Sequence, residues 1–147
     1  MNEITRMYIY SLLGQPYRWG GDDTISGFDC SGLVIEILQS RGQYHIGHDT
    51  TSMGLFNHYK GQGAHMTAVP KFGCIAFYGR GFDKITHVAY CLDSRFIVEA
   101  SGGGSRTRTE GDAAVHNAFV KIRPIKYRKD FLGMLDVSSI SIESYFL

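Results

Sequence analysis

The sequence predicts an α+β domain with N-terminal helices packed against a central antiparallel β-sheet. Helix-period apolar patterns come first, and β-rich apolar runs begin only after Pro70. Short segments with turn chemistry separate those runs, so they follow one another as a meander. At 147 residues the chain fits one domain and buries roughly two thirds of its unfolded surface without disulfide staples. An aromatic share of 13% points to a β-containing core or an aromatic-lined cleft.

From Asn2 to Leu13, residues Ile4, Met7, Tyr8, Ser11 and Leu12 fall near one helical face, and Gly14 with Pro16 supplies a stop. Residues 15–28 are rich in Gly, Asp and aromatics and read as an ordered loop. It leads into a second helix at about 30–41 that turns Leu33, Val34, Ile37 and Leu38 inward. A further short helix over Asp49 to Tyr59 carries Met53, Leu55 and Phe56, with Asp49 or Thr50 as its cap. Strands are expected at Cys74–Tyr78, Thr86–Leu92 and Arg95–Val98, with turns at Gly79-Arg80-Gly81 and Leu92-Asp93-Ser94. Ser101 to Thr109 reads as a mobile basic loop, and Ala118–Arg123 as another strand. Beyond Tyr127, Phe131-Leu132 and Met134-Leu135 pack onto the core before a serine-containing end that frays. There is no internal repeat, and residues 1–147 are expected to form one domain.

A net charge of +1 leaves no global field to draw the protein onto nucleic acid or an anionic membrane. No apolar run in residues 1–20, which hold Glu3, Arg6 and Arg18, has the length of a signal-peptide core or a membrane span. The expectation is a chain with no export signal of its own and no membrane insertion. Cys30, Cys74 and Cys91 are an odd set without zinc-type spacing, so reduced thiols are expected. Cys74 and Cys91 fall in strand-like runs, where a cysteine is a small buried hydrophobe.

Cys30 differs. It lies in Gly27-Phe28-Asp29-Cys30-Ser31-Gly32-Leu33-Val34, where a glycine-marked turn enters a helix. A thiol at a helix start feels unpaired backbone N–H groups and the positive end of the helix dipole, both of which favour the nucleophilic thiolate. Such a nucleophile needs an imidazole within hydrogen-bond reach and a third polar group to orient the ring. In the strand Thr86-His87-Val88-Ala89-Tyr90-Cys91, alternation puts His87, Ala89 and Cys91 on one face. A tight turn near Asp93-Ser94-Arg95 then makes His87 and Glu99 cross-strand neighbours. Taken singly, the three also fit a buried helix cysteine, a core histidine and a solvated strand-end carboxylate.

Pro16-Tyr17-Arg18-Trp19-Gly20-Gly21, then the Cys30 motif, then His87-Val88-Ala89 with Phe96-Ile97-Val98-Glu99-Ala100, resemble the NlpC/P60 family of cell-wall cysteine peptidases over about residues 4–125. Residues 126–147 would then be a C-terminal extension. The resemblance implies a papain-like fold and hydrolysis of peptidoglycan stem peptides, at a γ-D-glutamyl to diamino-acid bond, without metal or organic cofactor. By residue, it implies Cys30 as nucleophile, His87 as base and acid, and Tyr17 near the thiol holding the oxyanion or substrate. Asp29 and Ser31 match positions that line the cleft and help hold a free peptide amine. Glu99 departs from the family's more usual His, yet a carboxylate can accept the ring N–H of His87 and stabilise the imidazolium. Gly73-Cys74 replaces a usual Gly-Asp, and Asp93-Ser94 a usual Gly-containing turn. The alternatives are an amidase or transacylase on the same fold, or a non-catalytic phage tail or structural protein.

Other signals are weak. His45 and His48, with His58 and His65 further on, lie in loop-like sequence without a completing ligand, so no metal is assigned. Arg106 and Arg108 read as a solvated loop, too short a basic stretch for nucleic acid. Lys126 to Asp136 resembles the closing segment of phage-encoded members. That fits the missing export signal and a cytoplasmic or phage-associated protein that reaches the wall by another route.

Overall fold

The computed structural model describes residues 2–23, 27–104 and 106–142. Helix α1 (Asn2–Leu12) ends before Gly14, whose φ of 85° lies in the left-handed region that glycine adopts without penalty. Its buried face follows the apolar spacing only in part: Leu12 is buried and Tyr8 packs on the core as expected, whereas Ile4 and Met7 are 73% and 70% exposed and Ile9, outside that spacing, is buried. The cause is the contact with α2 (Cys30–Ser40), where the Tyr8 hydroxyl donates to Glu36 at 2.5 Å and fixes the rotation of α1. Leu33, Val34, Ile37 and Leu38 of α2 are fully buried as expected, each contributing up to about 1.5–3 kcal/mol.

The third helix, α3 (Ser52–Gly61), starts later than its cap residues suggest. Thr51 is the cap, its hydroxyl accepting from Gly54 N at 3.0 Å, while the Asp49 carboxylate accepts from Thr50 N instead. A two-residue antiparallel pair, β1 (Asp22–Asp23) with β2 (Gly27–Phe28), lies just before α2.

The main sheet contains β3 (His65–Thr67), β4 (Cys74–Gly79), β5 (Ile85–Cys91), β6 (Phe96–Ser101), β7 (Phe119–Pro124) and β8 (Phe131–Asp136). Their spatial order is β3-β8-β4-β5-β6-β7, with every pairing antiparallel. Strands β4 to β7 match the expected runs closely. Strand β8, drawn from the segment read as a C-terminal extension, is an interior strand between β3 and β4. Gly133 interrupts its apolar alternation, and a Cβ there would lie 2.6 Å from the Met66 side chain.

Alternation along the strands makes two apolar layers. Ile75, Phe77, Val88, Tyr90, Val98 and Leu135 form one core with α2 and α3. On the opposite face Cys74, Ala76, Tyr78, Ala89, Cys91 and Ile97 are covered by Ile125, Tyr127 and Phe131. Both Cys74 and Cys91 are buried free thiols.

In the described part of the glycine-rich stretch after β6, Thr107 is an anchor. Thr107 is fully buried, its carbonyl accepts from Trp19 N at 2.7 Å, and its hydroxyl bonds His116 of α4 (Glu110–His116) at 2.8 Å. Arg106 and Arg108 are exposed. Val137 to Ile142 lies along the end of α2, through Gln43 Nε2 to Val137 O and Ile142 N to Gly42 O, both 2.8 Å. The rest of the expected frayed end is outside the described residues. Among those described, no helix is long and apolar enough to cross a membrane.

Candidate active site

Cys30 is the first residue of α2, and its position is set by the Asp29 cap. Asp29 Oδ1 accepts from Gly32 N at 2.7 Å and from Ser31 Oγ at 3.3 Å, while Oδ2 accepts from Gly20 N at 3.1 Å. Replacing such a cap costs about 1 kcal/mol. Gly32 packs so closely on the Gly21 carbonyl that a Cβ would lie 2.0 Å from its oxygen. Glycines on both sides of the turn therefore allow the loop and the helix start to touch, which leaves the half-buried thiol at a cleft wall.

His87 and Glu99 meet as the hairpin geometry predicts. The β5–β6 register, continued from Tyr90 and Val98, sets Ala89 opposite Glu99 and makes His87 its diagonal neighbour on the same face. His87 Nε2 is 2.8 Å from Glu99 Oε1, which leaves Nδ1 as the ring nitrogen for the thiol. Asp93 fixes the turn by accepting from Arg95 N and Phe96 N. On the cysteine side, Thr86 O is 4.0 Å from Cys30 Sγ, so the start of β5 abuts the start of α2.

Two contacts were not visible in the local motifs. Ser52 Oγ, at the start of α3, is 3.5 Å from Cys30 Sγ. Tyr127, from the β7–β8 connection, donates its hydroxyl to Glu99 Oε1 at 2.7 Å and Oε2 at 2.5 Å. A carboxylate with no exposure, such as Glu99, is costly unless its oxygens are satisfied, and here His87 and Tyr127 satisfy them.

The electrostatics follow from these contacts. Burial pushes the Cys30 thiol up, but a hydrogen bond and charge from His87, with a further hydrogen bond from Ser52, bring it below the ordinary thiol value. Burial disfavours the His87 imidazolium, yet hydrogen bonds to Cys30 and Glu99 and their charges raise it to about 9. Burial likewise opposes ionised Glu99, and the His87 hydrogen bond and charge, joined by the Tyr127 hydrogen bond, hold it below the usual carboxylate range. The directions of these shifts favour a thiolate, an imidazolium and a carboxylate together in the site.

All six residues singled out in the sequence are drawn together. Tyr17, Asp29, Cys30, Ser31 and His87 line one cleft of about 620 Å³, and Glu99 lies behind His87. The Tyr17 ring is buried and packs on Gly103, where a Cβ would meet it at 2.2 Å. Burial first, then the charges of Cys30 and Asp29, push its phenol up, so Tyr17 keeps its O–H. Asp49, Thr51, Ser52 and Arg128 complete the walls. His45 and His48 belong elsewhere: their ring centres lie 5.2 Å apart in a tilted arrangement while Gln39 Nε2 donates to both backbone carbonyls. Among the described residues no group of three or more His, Cys, Asp or Glu is arranged to hold a metal.

A helix-start cysteine is set against an antiparallel sheet that carries a histidine, an α+β arrangement of cysteine-hydrolase type. The chain belongs to the NlpC/P60 family, whose model matches residues 14–124. It is 30% identical over 94 residues to the probable peptidoglycan endopeptidase LytE of Bacillus subtilis, a match covering 64% of this chain. That match covers 25% of LytE, so the chain corresponds to about a quarter of that relative. Among solved structures it is similar to the peptidoglycan hydrolase RipB of Mycobacterium tuberculosis. The TM-score is 0.64 at 23% identity, over 92% of this chain and 63% of that one. RipD of the same organism, described as a non-catalytic NlpC/p60 domain protein adapted to peptidoglycan binding, superposes with a TM-score of 0.60. Its identity is 16%, over 92% and 95% of the two chains. The fold is thus shared by a hydrolase and a non-catalytic protein, and the case for activity rests on this chain's own residues.

Proposed function

We propose that the protein is a cysteine endopeptidase that hydrolyses peptidoglycan stem peptides at the γ-D-glutamyl to diamino-acid bond. The observation that carries this reading is the buried His87, bonded to Glu99 and sharing a cleft with Cys30, whose interaction lowers the thiol and raises the imidazole. Family membership and the similarity to LytE support the substrate class.

In the proposed mechanism the Cys30 thiolate attacks the scissile carbonyl carbon and forms a C–S bond. The Cys30 backbone N–H and the Tyr17 hydroxyl donate to the resulting oxyanion. His87 gives its proton to the amide nitrogen as the C–N bond breaks, and the amine leaves. Neutral His87 then takes a proton from water, which attacks the thioester, expels the thiolate and restores the imidazolium. Glu99 keeps its charge throughout and stabilises the imidazolium from behind.

The test is mass spectrometry of muropeptides digested with wild type and with Cys30→Ala. Wild type is expected to free the amine of the diamino acid, and Cys30→Ala to leave the peptides intact. Release of whole stem peptides from the glycan would assign the site to an amidase. No cleavage by wild type would remove the enzymatic reading.

A further inference from the structure

We propose that Arg128 forms a subsite for a carboxylate carried by the residue on the amine side of the scissile bond. The proposal rests on the peptidase reading above for its sidedness. It goes beyond the family pattern, because the matched residues end at 124.

Arg128 lines the cleft that holds Cys30 and His87, and its side chain is 31% exposed. It is the only lysine or arginine among the described residues of that lining. The guanidinium is held before any ligand arrives: Asp130 takes Nε at 2.9 Å and Nη2 at 2.8 Å, and the group lies 5.4 Å from the Tyr78 ring centre. Tyr78 is in turn fully buried, tied by its hydroxyl to Ile125 O and set 5.4 Å from the His87 ring. A guanidinium has five N–H donors, of which Asp130 uses two, so a fixed edge is left for a second acceptor.

The cleft is polarised. Asp29, whose charge acts on Tyr17, and Asp49, whose charge acts on Asp29, both line it. Arg128 contacts Tyr78 and feels Glu99, the two groups placed against His87. Since His87 protonates the leaving amine, the amine-side residue must lie on the His87 side of the thiol, where Arg128 waits. Two carboxylates can occur there. One is the α-carboxylate of a peptide that ends at the diamino acid, the other the side-chain carboxylate of a diaminopimelate-type residue. Asp130 tempers the attraction, so its neutralisation should strengthen binding.

Calorimetry on the Cys30→Ala protein separates these sources without turnover. The probes are L-alanyl-γ-D-glutamyl-L-lysine as the free acid, the same peptide as its C-terminal amide, and the C-terminal amide of the diaminopimelate peptide. Either the lysine acid or the diaminopimelate amide is expected to bind about tenfold more tightly than the lysine amide, and which one does so identifies the carboxylate. Adding Arg128→Gln should level the three affinities, Arg128→Lys should keep part of the preference, and Asp130→Asn should widen it. Melting curves and lysine-amide binding control for folding. Equal binding of all three with Arg128 present, no binding of any, or an equal loss on all three in Arg128→Gln would overturn the subsite. Wild-type cleavage is scored separately: an Arg128-dependent preference without hydrolysis would keep Arg128 as a carboxylate site, and would remove the peptidase reading and with it the site's assignment to the amine side.

Discussion

Two thiols in this molecule meet burial in opposite ways. Cys91, on the sheet face away from the helices, has no exposure, and its sulfur lies 3.7 Å from the Met134 sulfur. Burial, reinforced by the charges of Cys74 and Asp93, pushes it far above the ordinary thiol range. Cys30 also experiences a desolvation that raises it, yet ends below that range because His87 supplies a hydrogen bond and a charge. Desolvation makes a thiol inert until a buried base is held beside it. It then strengthens the pair, because few waters remain to screen the attraction.

Alkylation is the most demanding test of that contrast. Iodoacetamide should modify Cys30 in the native protein while Cys74 and Cys91 react more slowly by on the order of a thousandfold, since they must first be exposed by local opening. Peptide mapping across pH should show Cys30 reactivity already high below the ordinary thiol pKa, with a plateau that ends as His87 deprotonates near 9. A Cys30 profile that follows an ordinary thiol would break the comparison.

Glu99→Gln sharpens it. Glutamine keeps the shape of the side chain and removes its charge, so kcat should fall roughly a hundredfold. The sign of the pH effect is fixed by the two shifts. His87, raised to about 9 partly by Glu99, should titrate lower, which moves the alkaline limb down. Cys30, lowered by the charge of His87, should titrate higher in turn, which moves the acid limb up and narrows the profile from both sides. An unchanged profile would assign Glu99 to structure alone.

Much of this arrangement was legible in the sequence because it depends on short periods. The apolar face of α2 puts Cys30 at a helix start and the strand alternation makes His87 and Glu99 neighbours, while the pairing of Cys30 with His87 rests on the family resemblance. The face of α1 was legible only in part: Tyr8 and Leu12 turn inward as their spacing predicts, but the Tyr8 to Glu36 contact joins residues 28 apart and leaves Ile4 and Met7 exposed. Strand β8 was hidden by Gly133, which breaks its alternation inside the sheet. Ser52, Tyr127 and Arg128 reach the site from an α3 start and a loop between distant strands. No local pattern marks such residues, because tertiary packing alone brings them there.

Tyr127→Phe is the smallest change and the one that separates charge from orientation. Phenylalanine keeps a ring beneath the Arg123 guanidinium, now 4.9 Å from its centre, and removes only the hydroxyl that donates to both Glu99 oxygens. Losing one donor to a buried carboxylate should lower kcat by about tenfold at most, in keeping with a single charge-assisted hydrogen bond. Glu99, held down in part by that hydroxyl, should protonate more readily, so activity should be lost from the acid side at higher pH than in wild type. The alkaline limb should behave differently from that of Glu99→Gln: a carboxylate with fewer donors attracts the imidazolium more strongly, so His87 stays at or above its wild-type value. A pH profile of kcat that moves down on the alkaline side in one variant and not in the other would establish Tyr127 as a positioning residue. Superimposable wild-type and Tyr127→Phe profiles would reduce it to packing.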